Sequence, residues 1–231
     1  MIGIRFLTIL LVCAALAPPL THAQGLSSYR GFQLGMDLPA VMQQAEMKTP
    51  EVKLIHQRPA VIQELEWRPP YTLGGSLPDT DPVREVILSF YNGGLFQIVV
   101  NYDRYRTEGL TDEDVIEATS AKYGPATRAA GKPLSFAVPQ PYDGAERVLL
   151  ARWEDAQCSL NLFRSSYGPT FGMVIFSKRL DVAARAAVLE AIRLDEQSAP
   201  EREVARQKKQ DDEVRTAQEK ARLVNKPAFR P

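Results

Sequence analysis

Side chains that act as nucleophiles or general bases are scarce in this chain. Its 231 residues include two Cys and two His, whereas attack by Ser or Cys needs a nearby base, usually His. A zinc site likewise needs several His or Cys ligands. His56 follows an apolar run and is interpreted as a strand end, and Cys158 lies among alternating apolar residues and is interpreted as a small core residue. Since no phosphate loop, dinucleotide fingerprint, nucleophile elbow or zinc-protease motif occurs, we expect no catalytic residue, no metal site and no cofactor.

Carboxylates are the remaining candidates for chemistry. Asp112-Glu113-Asp114 resembles a calcium loop only in composition, because the 12-residue ligand spacing is missing. The first turn of a helix explains the three acidic residues better, since negative charge is favourable there. A pair of carboxylates acting as in glycosidases stays open, because their separation is set by the fold and not by the sequence.

The aromatic residues divide into core and contact candidates. Trp67 and Trp153 occupy matching places in two apolar segments and are predicted to lie in the core. Tyr71 and Tyr142 lie in Pro-rich and Gly-rich stretches, at about 68–82 and 126–146, that are predicted to be long loops. Because interfaces are enriched in Tyr, these two residues are the predicted partner contacts.

The N-terminal segment is typical of a cleavable secretory signal. Arg5 is followed by an uncharged apolar run of about a dozen residues and then by Pro18 and Pro19. The run is too short for a bilayer core, which needs about 20 residues. We predict cleavage near Ala23, which makes residues 1–23 a signal peptide and the mature chain periplasmic or secreted. The alternative is a buried N-terminal helix.

Signal cleavage would deplete the chain further of reactive groups. It would remove Cys13 and His22 and leave one thiol and one imidazole. Lipid attachment at Cys13 stays an alternative, although Val12 precedes it where a small residue is preferred. Loss of Arg5 leaves 27 of the 28 basic residues against 28 acidic ones. This balance gives no general attraction to nucleic acid, and no later stretch is apolar enough to cross a membrane.

Two stretches of the chain are similar to each other. Residues 35–45 match residues 109–119 at an offset of 74, with a Gly, an apolar residue and a helix N-cap, Asp37 or Thr111, in the same order. Both helices are expected to end at turn residues, the second at Gly124-Pro125. Chance similarity between two ordinary α+β stretches is the alternative.

The order of the strand candidates repeats as well. A Trp-containing strand and an apolar hairpin follow each helix; in the first copy the hairpin turns at Asn92-Gly93-Gly94. The strand candidates are 52–55, 61–67, 83–91 and 95–102, then 147–153, 158–163 and 171–177. This order predicts an α+β fold of two tandem helix-plus-antiparallel-sheet units at 24–104 and 105–195, each sheet covered on one face by helices.

The C-terminal part of the chain is predicted to hold a helix and a separate tail. Residues 181–194 carry an apolar stripe at helical spacing, expected to pack on the second sheet, and the stripe consists of Val182, Ala186, Leu189 and Ile192. Asp181 is the predicted N-cap, and Ser198-Ala199-Pro200 is expected to end the helix. Residues 196–231 then form a charged tail, helical or disordered, whose basic excess would suit an acidic partner.

The repeated motif resembles that of small bacterial envelope proteins of the SmpA/OmlA type. It consists of Gly35, Met36, Asp37 and Val41 in the first copy, and of Gly109, Leu110, Thr111, Val115, Gly124 and Pro125 in the second. The resemblance implies the fold shared with the β-lactamase inhibitor protein, in which helices pack on an antiparallel sheet. It also implies an interaction module and not an enzyme.

These observations predict an exported, non-catalytic interaction or scaffolding protein of the bacterial envelope. The expected partner is another envelope protein, with no role for nucleic acid. One alternative is a periplasmic protein that binds a small molecule or peptide between its two units. A second alternative is a hydrolase that uses carboxylates in an unrecognised arrangement.

Overall fold

The computed structural model describes residues 25–47, 51–69, 81–128, 133–137, 146–166, 170–228 and 230. Tyr71, Tyr142, Cys13 and the predicted cleavage position at Ala23 lie outside the described residues. The elements, in chain order, are β1 (Ser28–Tyr29), β2 (Phe32–Gln33), α1 (Leu38–Gln44), β3 (Val52–His56), β4 (Ile62–Trp67), β5 (Val83–Tyr91), β6 (Gly94–Tyr102), α2 (Asp112–Tyr123), β7 (Thr127–Arg128), β8 (Arg147–Glu154), β9 (Cys158–Ser165), β10 (Thr170–Ser177) and α3 (Lys178–Ala228). The predicted α+β class is therefore confirmed.

Both short helices begin at the residues predicted to cap them. The Asp37 carboxylate accepts a hydrogen bond from the backbone N–H of Ala40 at 2.9 Å. Thr111 and Asp114 form a reciprocal capping box at the start of α2, so the acidic cluster there is a helix first turn, as predicted. The α2 helix ends at Gly124, whose φ of 86° suits glycine.

The β5–β6 hairpin also follows its sequence signal. Asn92 and Gly93 form a two-residue loop with φ values of 48° and 84°. A two-residue hairpin turn with positive φ at both positions matches the twist of its strands. The signal was strong because Asn and Gly are the residues that adopt this conformation most readily.

The two predicted units share one antiparallel sheet of eight strands. The strand order is β3-β4-β5-β6-β10-β9-β8-β7. The first unit contributes its four strands in chain order, and the second contributes its four in the opposite spatial order. The units meet where β6 pairs with β10, with Val99 opposite Val174. The unit boundary near residue 104 stays a prediction, but helix, Trp strand and hairpin do recur in order on both sides of this central pairing.

The two faces of the sheet carry different helices. One face packs against α1, α2 and the β1–β2 ribbon around a core that includes Leu88, Ile98 and Leu160. The opposite face carries the start of α3, which contacts Ile62 and Phe96. The expectation that helices cover one face only is therefore wrong. Among the helices of the described residues, none combines the length and the apolar character needed to cross a membrane.

The buried side of α3 differs from the predicted stripe. The helix begins at Lys178, so Asp181 is not its N-cap but a buried residue of the first turn, paired with Arg185 at 2.7 Å. Its buried face consists of Asp181, Ala184, Ala187, Val188 and Ala191, whereas Val182 and Leu189 are 67% and 69% exposed. Alanine lets the helix axis approach the sheet closely, which larger side chains would prevent. The helix also packs on residues of the first unit and not only on the second, as had been expected.

The predicted break at Ser198-Ala199-Pro200 is wrong as well, because α3 continues through Pro200 to Ala228. A proline within a helix removes one hydrogen bond and crowds the preceding turn. Side chains hold the turn before Pro200: Arg58 donates to Ser198 Oγ at 2.9 Å, and Arg202 donates to the Asp195 carbonyl at 2.6 Å. Helix and tail are thus a single element.

Candidate functional site

A pocket of about 370 Å³ opens where the two predicted units meet. It lies between α2, the β1–β2 ribbon and the adjoining ends of β5 and β6. The first unit lines it with Tyr29, Arg30, Pro82, Val83 and Tyr102, and the second with Arg106, Thr107, Leu110, Asp114, Val115, Ala118, Thr119, Lys122, Tyr123 and Met173. The pocket therefore depends on the arrangement of both units.

Three tyrosines converge on this pocket from three different elements. Tyr29 ends β1, Tyr102 ends β6, and Tyr123 is the last residue of α2 before the Gly124 stop. Each lies at the end of its element, where the aromatic ring packs on the core and the hydroxyl group points towards the junction. Tyr29 and Tyr123 belong to the buried core, at 4% and 7% exposure, and Tyr102 packs against it.

All three phenols resist ionisation. Burial raises the pKa of Tyr29 and of Tyr123 to about 12. Burial also raises the pKa of Tyr102, and the neighbouring Tyr29 and Tyr123 raise it further. At neutral pH the pocket therefore presents uncharged hydroxyl groups, each able to donate a hydrogen bond.

The hydroxyl group of Tyr123 has no hydrogen-bond partner in the described structure. Its oxygen is buried, and the side chain as a whole is 7% exposed. A buried polar group without a partner costs about 1–3 kcal/mol, and such groups are rare in folded proteins. This hydroxyl group is therefore available to a molecule that enters the pocket.

The charged groups around the tyrosines leave a positive excess. Arg30 forms a bidentate pair with Asp81, with both N···O distances at 2.7 Å. Lys122 Nζ lies 5.5 Å from the ring centroid of Tyr29 and 5.2 Å from that of Tyr123, at cation–π distances. Burial lowers the pKa of Lys122, and the nearby Arg30 lowers it further. Lys122 thus carries a partly desolvated charge at the rim of the pocket.

The remaining walls are largely apolar. Val83 and Val115 are buried in the same core, and Met173 contributes from β10 at the centre of the sheet. Leu110, 46% exposed, lies at the outer rim. The lining thus combines an apolar body with a small number of polar groups, which is the usual composition of a small-molecule site.

The residues singled out from the sequence lie elsewhere. Tyr71 and Tyr142 are outside the described residues, so their predicted contact role stays a prediction. His56 is half-buried at the end of β3, and Cys158 is a buried residue whose thiol pKa is raised by burial. In the part of the chain that the structure describes, His, Cys, Asp and Glu nowhere form a group of three that could hold a metal ion.

Sequence reasoning missed the residues that line this pocket. Tyr102 was only one of several aromatic candidates, and Tyr123 drew notice only as the residue before a helix stop. Lys122 had one weak signal, its match to Lys48 at the offset of 74. Residue spacing alone did not show that these side chains meet.

A second surface is the outer part of α3. Residues 201–228 form a helix whose side chains are almost all exposed. Pairs one turn apart support it, such as Glu203 with Arg206 at 2.8 Å and Asp212 with Arg215 at 2.7 Å. Val204, Val214, Leu223 and Val224 are each more than half exposed on it, at 56% to 76%. This segment is a charged arm with scattered apolar residues.

Comparison with known proteins adds no relative to this description. No family model, no curated protein and no solved structure matches the chain at a significant level.

Proposed function

We propose that the protein is an exported, non-catalytic binding protein that holds a small amphiphilic molecule between its two units. The observation that carries this proposal is the pocket of about 370 Å³, apolar along its walls and provided with tyrosine hydroxyls at one end. Its volume lies within the range of about 300–1,000 Å³ that is typical of ligand sites. The order of Arg5, apolar run, prolines and Ala23 supports export.

The lining favours binding over catalysis. Nucleophilic catalysis needs a nucleophile beside a base, but the groups that converge here are neutral phenols and one ammonium group. Asp114 is the acidic member of the lining, and its carboxylate already accepts hydrogen bonds from Thr111 in the α2 capping box. Hydrogen bonding to Thr111 also lowers the pKa of Asp114, which disfavours a general-acid role.

Blocking the pocket tests this function. The variant Ala118→Trp places a large ring on the pocket side of α2, whereas Ala121→Trp places the same ring on an exposed position of α2 that does not line the pocket. We expect octanoate or 1-octanol to bind the parent protein and Ala121→Trp in calorimetric titration, and Ala118→Trp to lose binding. Failure of both probes to bind the parent protein, or equal binding by the two variants, would contradict the proposal.

A second function, docking of another envelope protein, is favoured by one specific observation. The α3 arm at 201–228 leaves its apolar side chains exposed and packs on nothing in the described structure. A photo-crosslinking residue at Leu223, 76% exposed, tests this against the same residue at Leu54, 45% exposed on β3. We expect a reproducible adduct in intact envelopes from position 223 only. Equal adducts from both positions would remove the argument for the arm.

A further inference from the structure

We infer that the molecule bound in this pocket carries a single carboxylate, which is held between the Tyr123 hydroxyl and the Lys122 ammonium group while its apolar chain runs along Val83, Val115 and Met173. This inference rests on the proposed binding function and specifies the chemistry of the ligand.

The first argument is the unsatisfied hydroxyl group. Tyr123 Oη is buried and lacks a partner in the described structure, in a pocket whose other walls are mainly apolar. A phenol proton finds its strongest partner in a charged oxygen acceptor, since hydrogen bonds to ionised groups are roughly twice as strong as neutral ones. An aliphatic ligand without such an acceptor would leave the hydroxyl group unpaired.

The second argument is charge. Arg30, Arg106 and Lys122 line the pocket with positive charge, Asp114 is the acidic member of the lining, and Asp81 offsets Arg30. The sum of these five groups is one positive charge. A monoanion neutralises this excess, whereas a cation would add to it and a dianion would exceed it.

The third argument is the state of Lys122. Its ammonium group lies over two aromatic rings, and both burial and Arg30 disfavour its charged form. An anion beside it would offset both effects, because an opposite charge within about 4–6 Å favours the charged form. The phenols do not compete for this role, because they stay protonated and can only donate to the anion or stack against it.

The volume restricts the remainder of the ligand. About 370 Å³ lies at the small end of the range for ligand sites. A medium-length alkyl chain or one or two rings would fill the space beside Val115 and Met173. The ligand class is therefore a small amphiphilic monocarboxylate.

The experiment compares three probes of equal chain length on the full chain at neutral pH: octanoate, 1-octanol and octylammonium. We expect octanoate to bind about tenfold more tightly than 1-octanol, as the gain of one charge-assisted hydrogen bond implies, and octylammonium to bind most weakly. Lys122→Met and Tyr123→Phe should each bring octanoate close to the affinity of 1-octanol while the 1-octanol affinity stays within twofold. Lys53→Met, on β3, serves as the charge-matched control and should change neither value.

The outcomes separate this inference from the proposed function. If 1-octanol binds as tightly as octanoate, the pocket binds apolar molecules but the carboxylate assignment is overturned. If octylammonium binds most tightly, the sign of the assignment is wrong. If none of the three probes binds, the proposed function fails and the inference fails with it. Lys122→Arg keeps the charge, so it should retain the preference for octanoate; its loss there would mean that Lys122 acts through packing alone.

Discussion

Trp153 on β8 donates its indole N–H to the backbone carbonyl of Gly124, the residue that ends α2, at 2.8 Å. The donor is 3% exposed, so the bond is shielded from water. It fixes the C-terminal end of α2 to the sheet, and Tyr123, the adjacent residue, is thereby positioned at the pocket. The bond links the structural core of the second unit to the candidate site.

Replacing Trp153 with Phe should therefore cost more than the loss of ring area. The Gly124 carbonyl would lose its buried donor, and the smaller ring would leave a void, so we expect a loss of about 2–4 kcal/mol in the free energy of unfolding. Urea unfolding followed by circular dichroism measures it. Trp67→Phe is the matched control, because Trp67 is half-buried and meets Phe32 edge-on at 5.5 Å without an indole hydrogen bond in the described structure. Equal losses in the two variants would show that the Gly124 bond contributes nothing.

Gly172 should be indispensable at the pairing of β6 with β10. A Cβ atom there would lie 2.9 Å from the Val100 carbonyl oxygen on β6 and would also meet the Phe163 ring. The ring can move but the carbonyl belongs to the central pairing, so we expect Gly172→Ala to lower the free energy of unfolding by about 1–3 kcal/mol. Adding Phe163→Leu should not restore the loss. Gly25→Ala, whose Cβ would find its nearest neighbour at 3.8 Å, should change little.

The Arg30–Asp81 pair should make stability depend on pH at the acidic end. Hydrogen bonds from Arg30 lower the pKa of Asp81 in the folded state. A group with a lowered folded pKa binds protons better when unfolded, so its contribution is present above its unfolded pKa of about 3.9 and is lost as the pH falls through the folded value. Because the Arg30 side chain is 35% exposed, solvent screening limits the contribution to about 1 kcal/mol.

Urea unfolding at several pH values tests this pair. The free energy of unfolding of Asp81→Asn should lie below that of the parent protein at pH 7, and the difference should shrink as the pH falls below about 4. Glu117→Gln, at an exposed position of α2, should follow the parent at every pH. A difference that stays constant through the acidic range would contradict a contribution from the ionised Asp81.

Pro200→Ala should strengthen the outer part of α3. The substitution restores a donor for the Glu196 carbonyl and removes the crowding that makes an interior proline unfavourable by about 3 kcal/mol. Amide hydrogens at 201–205 should then exchange about ten- to a hundredfold more slowly. Pro227→Ala in the last turn should have a smaller effect, since helix ends fray. Unchanged exchange around residue 200 would contradict a continuous helix.

Local signals in the sequence predicted a large part of the fold. The caps at Asp37 and Thr111, the Asn92-Gly93 turn and the stop at Gly124 each depend on a few adjacent residues, so they are readable without tertiary information. The side of α3 that faces the sheet was not readable in this way. Leu189 and Ile192 dominate a hydrophobicity pattern, but close packing on the sheet selected the smaller Ala184 and Ala187.

The pocket was not predictable for a different reason. Tyr29, Tyr102 and Tyr123 come from separate elements, and they meet only because the β1–β2 ribbon and α2 pack on the same face of the sheet. Tyrosine is also common in cores, so no single one of them indicated a site. The unpartnered hydroxyl of Tyr123 became informative only with its surroundings.

The pairing of β6 with β10 has a consequence for how the chain folds. Within each unit, every strand pairs with its neighbour in sequence, so each half of the sheet can form through short-range contacts. The central pairing joins segments about 70 residues apart, such as Asn101 and Gly172, and long-range contacts form slowly. Until they form, both halves present an apolar edge strand that invites wrong pairing between chains. The pocket spans both halves, so a bound ligand would favour the closed sheet and act as a folding chaperone for its own carrier.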